Sequence, residues 1–527
     1  MLKYLKRIRV IFSLLFFLLT TFLFLDYKEL ISNSFLNNIL YFQFIPSFLK
    51  FTNVFSLVSI GFILVLIVSI IFGRIYCSSI CPFGILQDIF TWLSGKTRKK
   101  KKKKFFRFAR PYNILRYSLL IITILVFIFG SAILLTLLDP YSNHGRISTN
   151  IFRPVFYILN NLLSNTLMSM NNYSIGPATL EGYNIISIIF SFTILIIITY
   201  LSFKHGRLFC NTICPAGTLL GFVSKYSLFK ISIDKEKCTA CTLCERECKS
   251  QCINSKEYDV DFSRCVGCFN CLSTCKHSAI DYKPIFKHSG ITVENTISNS
   301  GKREFLSKSF LFLIGFLGLS SMKRFQIKAP TPAQDTTIPE DKSSPVCIPG
   351  AGTIEDFNRS CTACHLCVSA CPAQCIQPSF IDYGLTGLLQ PKMDYHAGFC
   401  TFECTRCTDI CPSGALLPVD LNDKKLLQLG IAKFIKESCV VDTDKTDCGA
   451  CSEHCPTKAV KMVPFENDLV IPEVDDSICI GCGACEYACP TRPFRAIFID
   501  GNPVHQVADK PEVSTKKKII LEDDFPF

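Results

Sequence analysis

The chain has 527 residues, of which 49% are hydrophobic and 46 are Phe, and it carries 56 basic against 43 acidic side chains. This length allows several domains, and the positive mean hydropathy is typical of a membrane protein rather than of one soluble globule. The 31 cysteines exclude a small secreted disulfide scaffold, because nearly all of them fall in Cys-x2-Cys-x2-Cys-x3-Cys runs or close variants, which are typical of iron-sulfur ligation.

Four apolar segments predict a membrane α-helical four-helix unit within residues 1–230. A bilayer requires about 20 apolar residues, and the segments lie at residues 9–26, 53–73, 115–138 and 184–203. Basic residues precede the first segment, form the run Arg98–Lys104 between the second and third, and follow the fourth. The positive-inside rule therefore places both ends of the unit in the cytoplasm.

Charge is divided unevenly along the chain. Residues 330–527 carry 17 basic and 28 acidic side chains, a net of −11, which leaves +24 for residues 1–329. Basic blocks beside apolar segments are topology signals, so we expect membrane lipid as a partner and no nucleic acid. The mixed stretches Ile31–Lys50 and Arg146–Tyr183 are expected on the exoplasmic side, with interfacial helices.

A ten-residue motif occurs twice, each time after a pair of apolar segments. Residues 73–82 read GRIYCSSICP and residues 206–215 read GRLFCNTICP. Within each copy the two cysteines, Cys77 and Cys81 or Cys210 and Cys214, are four residues apart and share one face of a helix or turn. Such pairs can bind metal, cycle as a disulfide or only pack. The duplication favours a redox or metal role, so these four cysteines are candidate catalytic residues in a pseudo-symmetric bundle.

Three ionisable residues follow the third apolar segment. Asp139, His144 and Arg146 lie just beyond its predicted end. We expect them in a solvated loop; the alternative is that they handle protons at a quinone site.

A two-cluster ferredoxin-like α+β domain is predicted for residues 231–282. In such domains the first three cysteines of a run bind one [4Fe-4S] cluster and the fourth binds the other. This rule gives two ligand sets: Cys238, Cys241, Cys244 and Cys275, and Cys265, Cys268, Cys271 and Cys248.

Residues 283–345 are predicted to link this domain to a second one. The apolar segment 305–322 within them is nearer in length to the apolar region of a signal peptide than to a full span, and a Pro-rich tether follows it. An additional ferredoxin-like α+β domain is expected at residues 346–505, followed by a mixed-charge tail at residues 506–527.

The additional domain holds four further runs, enough for four more [4Fe-4S] clusters. They are Cys361, Cys364, Cys367 and Cys371; Cys400, Cys404, Cys407 and Cys411; Cys439, Cys448, Cys451 and Cys455; and Cys479, Cys482, Cys485 and Cys489. Sequential pairing of the runs (first with second, third with fourth) and nested pairing (first with fourth, second with third) fit equally well. Residues 361–365 also match the Cys-x-x-Cys-His haem motif, but Cys367 and Cys371 complete a ferredoxin run. The remaining Cys252, Cys347 and Cys375 are expected to be small buried apolar residues.

The doubled motif and the two cluster runs that follow it resemble, over residues 1–290, the NapH-type membrane quinol dehydrogenase component of periplasmic nitrate reductase systems. NosR-type proteins of nitrous oxide respiration share this core, but their flavin-bearing domain has no counterpart here. From Lys302 the chain resembles the NapG-type four-cluster ferredoxin. Residues 302–308 are similar to a twin-arginine export signal with Lys for the first Arg, and Pro349-Gly350-Ala351 and Phe357 precede the four runs.

These resemblances imply a fusion of the two components in the bacterial inner (cytoplasmic) membrane. Quinol from the membrane quinone pool would be oxidised at the membrane unit, and electrons would pass through six [4Fe-4S] clusters to a periplasmic reductase or its electron carrier. The first ferredoxin region would be cytoplasmic, where it can also exchange electrons with cytoplasmic carriers, and the C-terminal domain periplasmic. One alternative is an assembly or maturation factor like those of cytochrome oxidase biogenesis, against which the four extra clusters argue. The other is a redox regulator, for which no output domain is visible.

Overall fold

The computed structural model describes residues 2–26, 32–54, 60–97, 106–180, 182, 184–284, 342–492 and 494–510. The basic run Arg98–Lys104, the apolar segment 305–322 and most of the predicted linker and tail lie outside these residues.

The described part of residues 2–224 is mainly helical, and we call it the helical unit. Its helices are α1 (Leu2–Leu23), α2 (Asn33–Tyr41), α3 (Phe44–Val54), α4 (Gly61–Phe72), α5 (Tyr76–Ser79), α6 (Pro82–Thr97), α7 (Asn113–Ile128), α8 (Ile133–Leu138), α9 (Pro140–Ile147), α10 (Arg153–Ser169), α11 (Ile185–His205) and α12 (Pro215–Ser224). Two π-helical turns, Ser148–Phe152 and Phe209–Ile213, precede α10 and α12.

The predicted spans correspond to these helices only in part. Within the described ranges, α11 is the one helix long and apolar enough to cross a membrane, and α4, α7 and α12 are shorter apolar helices. The expected single helix at residues 115–138 is divided: α7 ends at Ile128, Gly130 adopts a left-handed φ of 89°, and α8 begins at Ile133. A glycine with positive φ ends a helix at little cost. The four-helix membrane unit therefore stays a prediction.

Residues 229–284 form the first ferredoxin region. Strand β1 (Phe229–Ile233) pairs antiparallel with β4 (Ile280–Pro284), and β2 (Ile253–Asn254) with β3 (Asp259–Val260). Two short helices, Leu243–Arg246 and Asn270–Thr274, pack on each other between the strands.

Residues 342–510 form the C-terminal ferredoxin region. Antiparallel pairs join β5 (Ile376–Pro378) to β6 (Pro391–Met393), β7 (Leu427–Phe434) to β10 (Ile497–Val507), and β8 (Val460–Pro464) to β9 (Val470–Val474). Its short helices are Ile354–Ser360, Leu366–Ala370, Arg406–Asp409, Leu421–Lys424, Val440–Thr443, Ala450–Glu453 and Ala484–Ala488, with 3-10 turns at Leu385–Gly387, Lys436–Ser438 and Glu466–Asp468. One buried apolar core runs through this region and includes most of its cysteines.

Helix α1 connects the two ferredoxin regions. Near its beginning, Lys6 Nζ donates to Ser273 Oγ of the first ferredoxin region at 3.2 Å. At its end, Leu23 and the following Phe24 pack in one cluster with Leu366 of the C-terminal region. A helix of 22 residues is about 33 Å long at a rise of 1.5 Å per residue. The two regions therefore contact opposite ends of this helix.

Helix α11 repeats this arrangement. At its N-terminal cap, Asn184 Nδ2 donates to Pro378 O of the C-terminal ferredoxin region at 2.8 Å. Just beyond its C-terminus, Arg207 N donates to Lys249 O of the first ferredoxin region at 3.0 Å. The helical unit thus lies between the two ferredoxin regions.

Candidate metal centres

The first ferredoxin region has a partly open pocket beside its first run. Four cysteines line it, namely Cys238, Cys241, Cys244 and Cys275. The second set, Cys248, Cys265, Cys268 and Cys271, also lies together. Cys248, Cys265 and Cys271 belong to, or pack against, one buried cluster, and Cys268 is close enough to Cys271 to interact with it electrostatically. Both sets include the crossed fourth cysteine that the ferredoxin rule predicts.

In the C-terminal region the runs pair sequentially. Helix Leu366–Ala370 packs on Arg406–Asp409, and Ala450–Glu453 packs on Ala484–Ala488. The resulting sets are Cys361, Cys364 and Cys367 with Cys411; Cys400, Cys404 and Cys407 with Cys371; Cys439, Cys448 and Cys451 with Cys489; and Cys479, Cys482 and Cys485 with Cys455. The nested pairing does not occur in this fold.

The backbone between the cysteines is shaped for an anionic group. Ala240 and Thr242 in the first region, and Ala363 and His365 in the C-terminal region, have φ between 49° and 62°. Alternation of right- and left-handed residues points successive N–H groups to one side and forms an anion-binding concavity. The donor sets and this backbone fit [4Fe-4S] clusters, each of which, when bound, accepts and releases one electron.

The thiols in these sets require deprotonation to act as ligands. Burial raises the pKa of Cys364 to about 12, so the metal-free thiol holds its proton and ligation releases it. Within the described ranges no three Cys, His, Asp or Glu side chains converge on one metal ion.

The remaining cysteines and His365 have structural surroundings. Cys252, Cys347 and Cys375 are at most 2% exposed, which confirms their predicted burial. His365 Nε2 lies 2.9 Å from the carbonyl oxygen of Leu389. Since Cys361 and Cys364 belong to the set with Cys411, the Cys-x-x-Cys-His match in the sequence does not mark a haem site.

The duplicated motif has a similar local structure in both copies, with an α-helical turn at Tyr76–Ser79 in the first and a π-helical turn at Phe209–Ile213 in the second. Gly73 and Gly206 follow α4 and α11 with φ of 79° and 65°, which ends each helix. A short helical turn then carries the first cysteine. Pro82 and Pro215 occupy the first position of α6 and α12, where the missing N–H costs no hydrogen bond. The motif is therefore a helix end, a turn and a helix start.

The two copies are locked together by crossed arginines. Arg74 Nη2 donates to the carbonyl oxygen of Cys210 at 3.0 Å, and Arg207 Nη1 donates to the carbonyl oxygen of Cys77 at 2.6 Å. Arg74 Nη2 also lies 3.8 Å from Cys77 Sγ. All four motif cysteines are 2–4% exposed and belong to one buried cluster, so the copies form a single site.

Three further residues complete this site, and the sequence reasoning missed them. A Cβ at Gly84 would collide with the carbonyl oxygen of Cys77, and one at Gly217 with that of Cys210, so only glycine allows the crossed contacts. Both copies read Cys-Pro-x-Gly, a signal available from the sequence. Gln87 Nε2 donates to Cys210 Sγ at 3.1 Å, while its buried Oε1 has no partner.

One buried carboxylate connects the site to its surroundings. Asp88 lies 2.9 Å from Arg207, 3.0 Å from Arg9 and 3.4 Å from Lys249. The matching position in the second copy is Gly221, so Arg74 has no equivalent carboxylate. Positive charge accordingly exceeds negative charge around the four thiols.

The expected solvated loop after the third apolar segment is wrong. Asp139, His144 and Arg146 are at most 1% exposed and lie at helix α9. The C-terminal region contacts Arg146, and the rings of Phe17 and Phe24 pack on His144. Asp139 caps α9 by accepting from Ser142 N at 2.9 Å, and Arg146 donates to the carbonyl oxygen of Ala363 at 3.4 Å. Burial lowers the pKa of His144 to about 3, which keeps its ring neutral.

Family models match three segments of the chain. A 4Fe-4S binding domain matches residues 54–101 and 185–235, and a 4Fe-4S dicluster domain matches residues 446–492. Each of the first two segments holds one copy of the duplicated motif, and therefore two of the four motif cysteines. The third holds seven of the eight cysteines of the last two runs.

Several curated proteins are similar to parts of the chain. The methylamine utilization ferredoxin-type protein MauM of Methylophilus methylotrophus is 35% identical over 25% of this chain and 61% of its own length. MauN of Paracoccus denitrificans is 25% identical over 33% of this chain and 48% of its own length. The ferredoxin-type protein NapH of Haemophilus influenzae is 24% identical over 35% of this chain and 51% of its own length. The chain thus spans about half to three fifths of these relatives. No solved structure matches the chain.

Proposed function

We propose that this iron-sulfur electron-transfer protein, related to the ferredoxin-type proteins MauM, MauN and NapH, oxidises quinol in a membrane and delivers the electrons to a reductase or its carrier outside the cytoplasm. In this proposal the chain joins a NapH-type membrane component to a NapG-type ferredoxin. The first ferredoxin region lies on the cytoplasmic side, the C-terminal region lies on the other side, and the six cysteine sets bind six [4Fe-4S] clusters.

The observation that carries this proposal is the placement of the ferredoxin regions at opposite ends of α1 and α11. The 21 residues of α11 extend about 31 Å, close to the ~30 Å hydrocarbon thickness of a bilayer. A membrane around these helices would therefore leave one region on each face. The acidic C-terminal region would face soluble partners, and the basic N-terminal part would follow the positive-inside rule.

A cleft beside the C-terminal ferredoxin region, at the N-terminal end of α11, is a suitable place for the quinol. It is a shallow, solvent-open cleft between the helical unit and the C-terminal region. Asn150, Arg153 and Gln377 supply polar groups, Ile188 supplies apolar surface, and Val368 follows the cluster ligand Cys367 directly. Such a mixture of apolar surface and few polar groups is typical of small-molecule sites.

Oxidation of quinol at this cleft needs only water, to take up the protons, and a cluster, to take up the electrons. One quinol becomes one quinone and releases two protons and two electrons. The protons enter water at the open mouth of the cleft, and the electrons leave one at a time toward the cysteine set that contains Cys367. Arg153 Nη1, 3.5 Å from the carbonyl oxygen of Val368, holds the ligand loop against the cleft wall.

The test compares two adjacent substitutions on α11. Ile188→Trp fills the cleft, whereas Ile189→Trp places the same side chain at a position that is 60% exposed. In anaerobic stopped-flow absorbance with a water-soluble quinol, we expect cluster bleaching at least tenfold slower in Ile188→Trp and unchanged in Ile189→Trp, with dithionite giving the total signal. Equal rates in both variants would place the quinol elsewhere. No bleaching of the intact protein would remove quinol as the donor.

A further inference from the structure

The four motif thiols form one group rather than two separate pairs. Each of the six pairs among Cys77, Cys81, Cys210 and Cys214 is close enough for the charge on one sulfur to act on the other. A [4Fe-4S] or [2Fe-2S] cluster takes four thiolates. Each copy of the motif supplies half of that number, and the crossed arginines bring the halves together.

The buried arginines around these thiols would be stabilised by a negatively charged group. Arg74 and Arg207 are fully buried beside the thiols, and within the described part of the chain only Arg207 of the two forms an ion pair, with Asp88. A buried cation without a counter-charge is costly, by several kcal/mol for an isolated ion. Neutral thiols do not provide the counter-charge, but a cluster held by four thiolates does.

The site faces a candidate cluster of the first ferredoxin region. Val266 and Cys268 belong to, or pack against, the buried cluster that contains the four thiols. A Cβ at Gly267 would lie 2.9 Å from Ile75 Cγ1, so the ligand loop rests directly on the motif. One layer of side chains separates the two sets of sulfur atoms.

A similar layer separates the site from the C-terminal region. Leu135 and Ile147 pack in the thiol cluster. Their neighbours Thr136 and Arg146 donate to the carbonyl oxygens of Cys361 and Ala363, in the ligand loop, at 3.4 Å each. The four thiols therefore lie between the two ferredoxin regions, in the interior of the helical unit.

We propose that Cys77, Cys81, Cys210 and Cys214 together bind one iron-sulfur cluster, shared by the two motif copies, that carries electrons through the helical unit between the two ferredoxin regions. Each transfer moves one electron: the cluster of one region is oxidised, that of the other is reduced, and no bond forms or breaks. This inference extends the proposed function, in which electrons otherwise enter only at the quinol cleft. With this cluster, the protein also carries electrons across the membrane, from one ferredoxin region to the other.

The first test is metal analysis of the full-length protein purified without oxygen. The six ferredoxin sets account for about 24 iron atoms per chain, and the shared cluster adds two or four. Cys77→Ser combined with Cys210→Ser should lose this increment and keep the other 24, which also shows that the variant folds. The matched control Cys347→Ser changes a thiol that is 1% exposed and outside every set, and should lose none. Equal iron in the double variant and the control would refute the shared cluster.

A second measurement does not depend on the double variant. Non-reducing peptide mass spectrometry of the intact protein should find all four cysteines as thiols that resist alkylation until the iron is chelated. A disulfide between any two of them would overturn the proposal. Arg74→Gln should lower the reduction potential of one cluster, because a buried positive charge favours the reduced form, and Arg74→Lys should restore it.

Conduction is tested in sealed vesicles that contain the protein, with dithionite outside and ferricyanide trapped inside. Dithionite is oxidised outside, and each ferricyanide takes up one electron to become ferrocyanide. We expect the intact protein and Cys347→Ser to bleach the trapped ferricyanide, and the double variant to be at least tenfold slower. Absence of transfer through the intact protein would refute electron transfer across the membrane. This outcome is independent of whether quinol reduces the clusters, so the two proposals fail separately.

Discussion

Gly145 offers a sharp test of how the C-terminal region sits on the helical unit. It lies in α9, and a Cβ there would overlap the carbonyl oxygen of Cys364 and lie 2.9 Å from Phe24 Cζ. Gly→Ala in a helix is worth about 0.5–1 kcal/mol in favour of the helix, whereas forcing a methyl group into a packed contact costs about 1–3 kcal/mol. The Gly145→Ala variant should therefore weaken the contact by roughly 1–2 kcal/mol, which is about a tenfold larger undocked population.

Hydrogen exchange of the backbone amides in residues 361–370 measures this population. We expect their exchange to become about tenfold faster in Gly145→Ala. Gly95→Ala is the control, because a Cβ there meets no atom within 4 Å and adds only the helix preference of Ala. Equal exchange at residues 361–370 in both variants would mean that α9 does not hold the ligand loop, and the arrangement of the two ferredoxin regions would have to be revised.

Three further outcomes are expected. Cys485→Ala removes one ligand of a single cluster, so iron analysis should find about four atoms fewer per chain. Asp88→Asn leaves three cations without their carboxylate and should destabilise the protein by about 3–5 kcal/mol. Burial alone would raise the pKa of Asp88, but the neighbouring cations hold it well below its usual range. Its contribution is therefore complete above about pH 4 and falls as the pH drops further. Thermal unfolding from pH 7 to pH 3 should show this loss in the native protein and not in the variant. Reporter fusions at Pro332 and Lys102 should show opposite sidedness, and the same sidedness at both would contradict the exported C-terminal region.

The sequence predicts which cysteines of one run lie close together in the structure, because they are close along the chain. Three cysteines within about ten residues, as at Cys361, Cys364 and Cys367, can surround one cube only by a tight loop, and the structure forms that loop. Which run supplies the fourth ligand depends on how two short helices pack. Spacing carries no record of that packing, so sequential and nested pairing were equally compatible with the sequence.

The burial of the polar residues at α9 could not be predicted either, because it also depends on how distant parts of the chain pack. Asp139, His144 and Arg146 are polar and follow an apolar segment, a pattern that indicates a solvated loop. The residues that cover them are distant along the chain: Ala363, which Arg146 contacts, lies 217 positions later, and Phe17, which packs on His144, lies in the first helix. The crossed contacts of Arg74 and Arg207 were closer to being predictable, because both copies of the motif place Gly-Arg before the first cysteine and glycine two residues after the proline.

The crossed arginines also determine when, during translation, the four-thiol site can form. Arg207 is 130 residues beyond Cys77, whose carbonyl oxygen it binds. At a translation rate of about 5–20 residues per second, the ribosome needs roughly 7 to 26 seconds to supply this partner. During that interval the first cysteine pair exists without the groups that position it. Iron-sulfur insertion at the four thiols would therefore be a late event of biosynthesis, after both halves of the helical unit have left the ribosome.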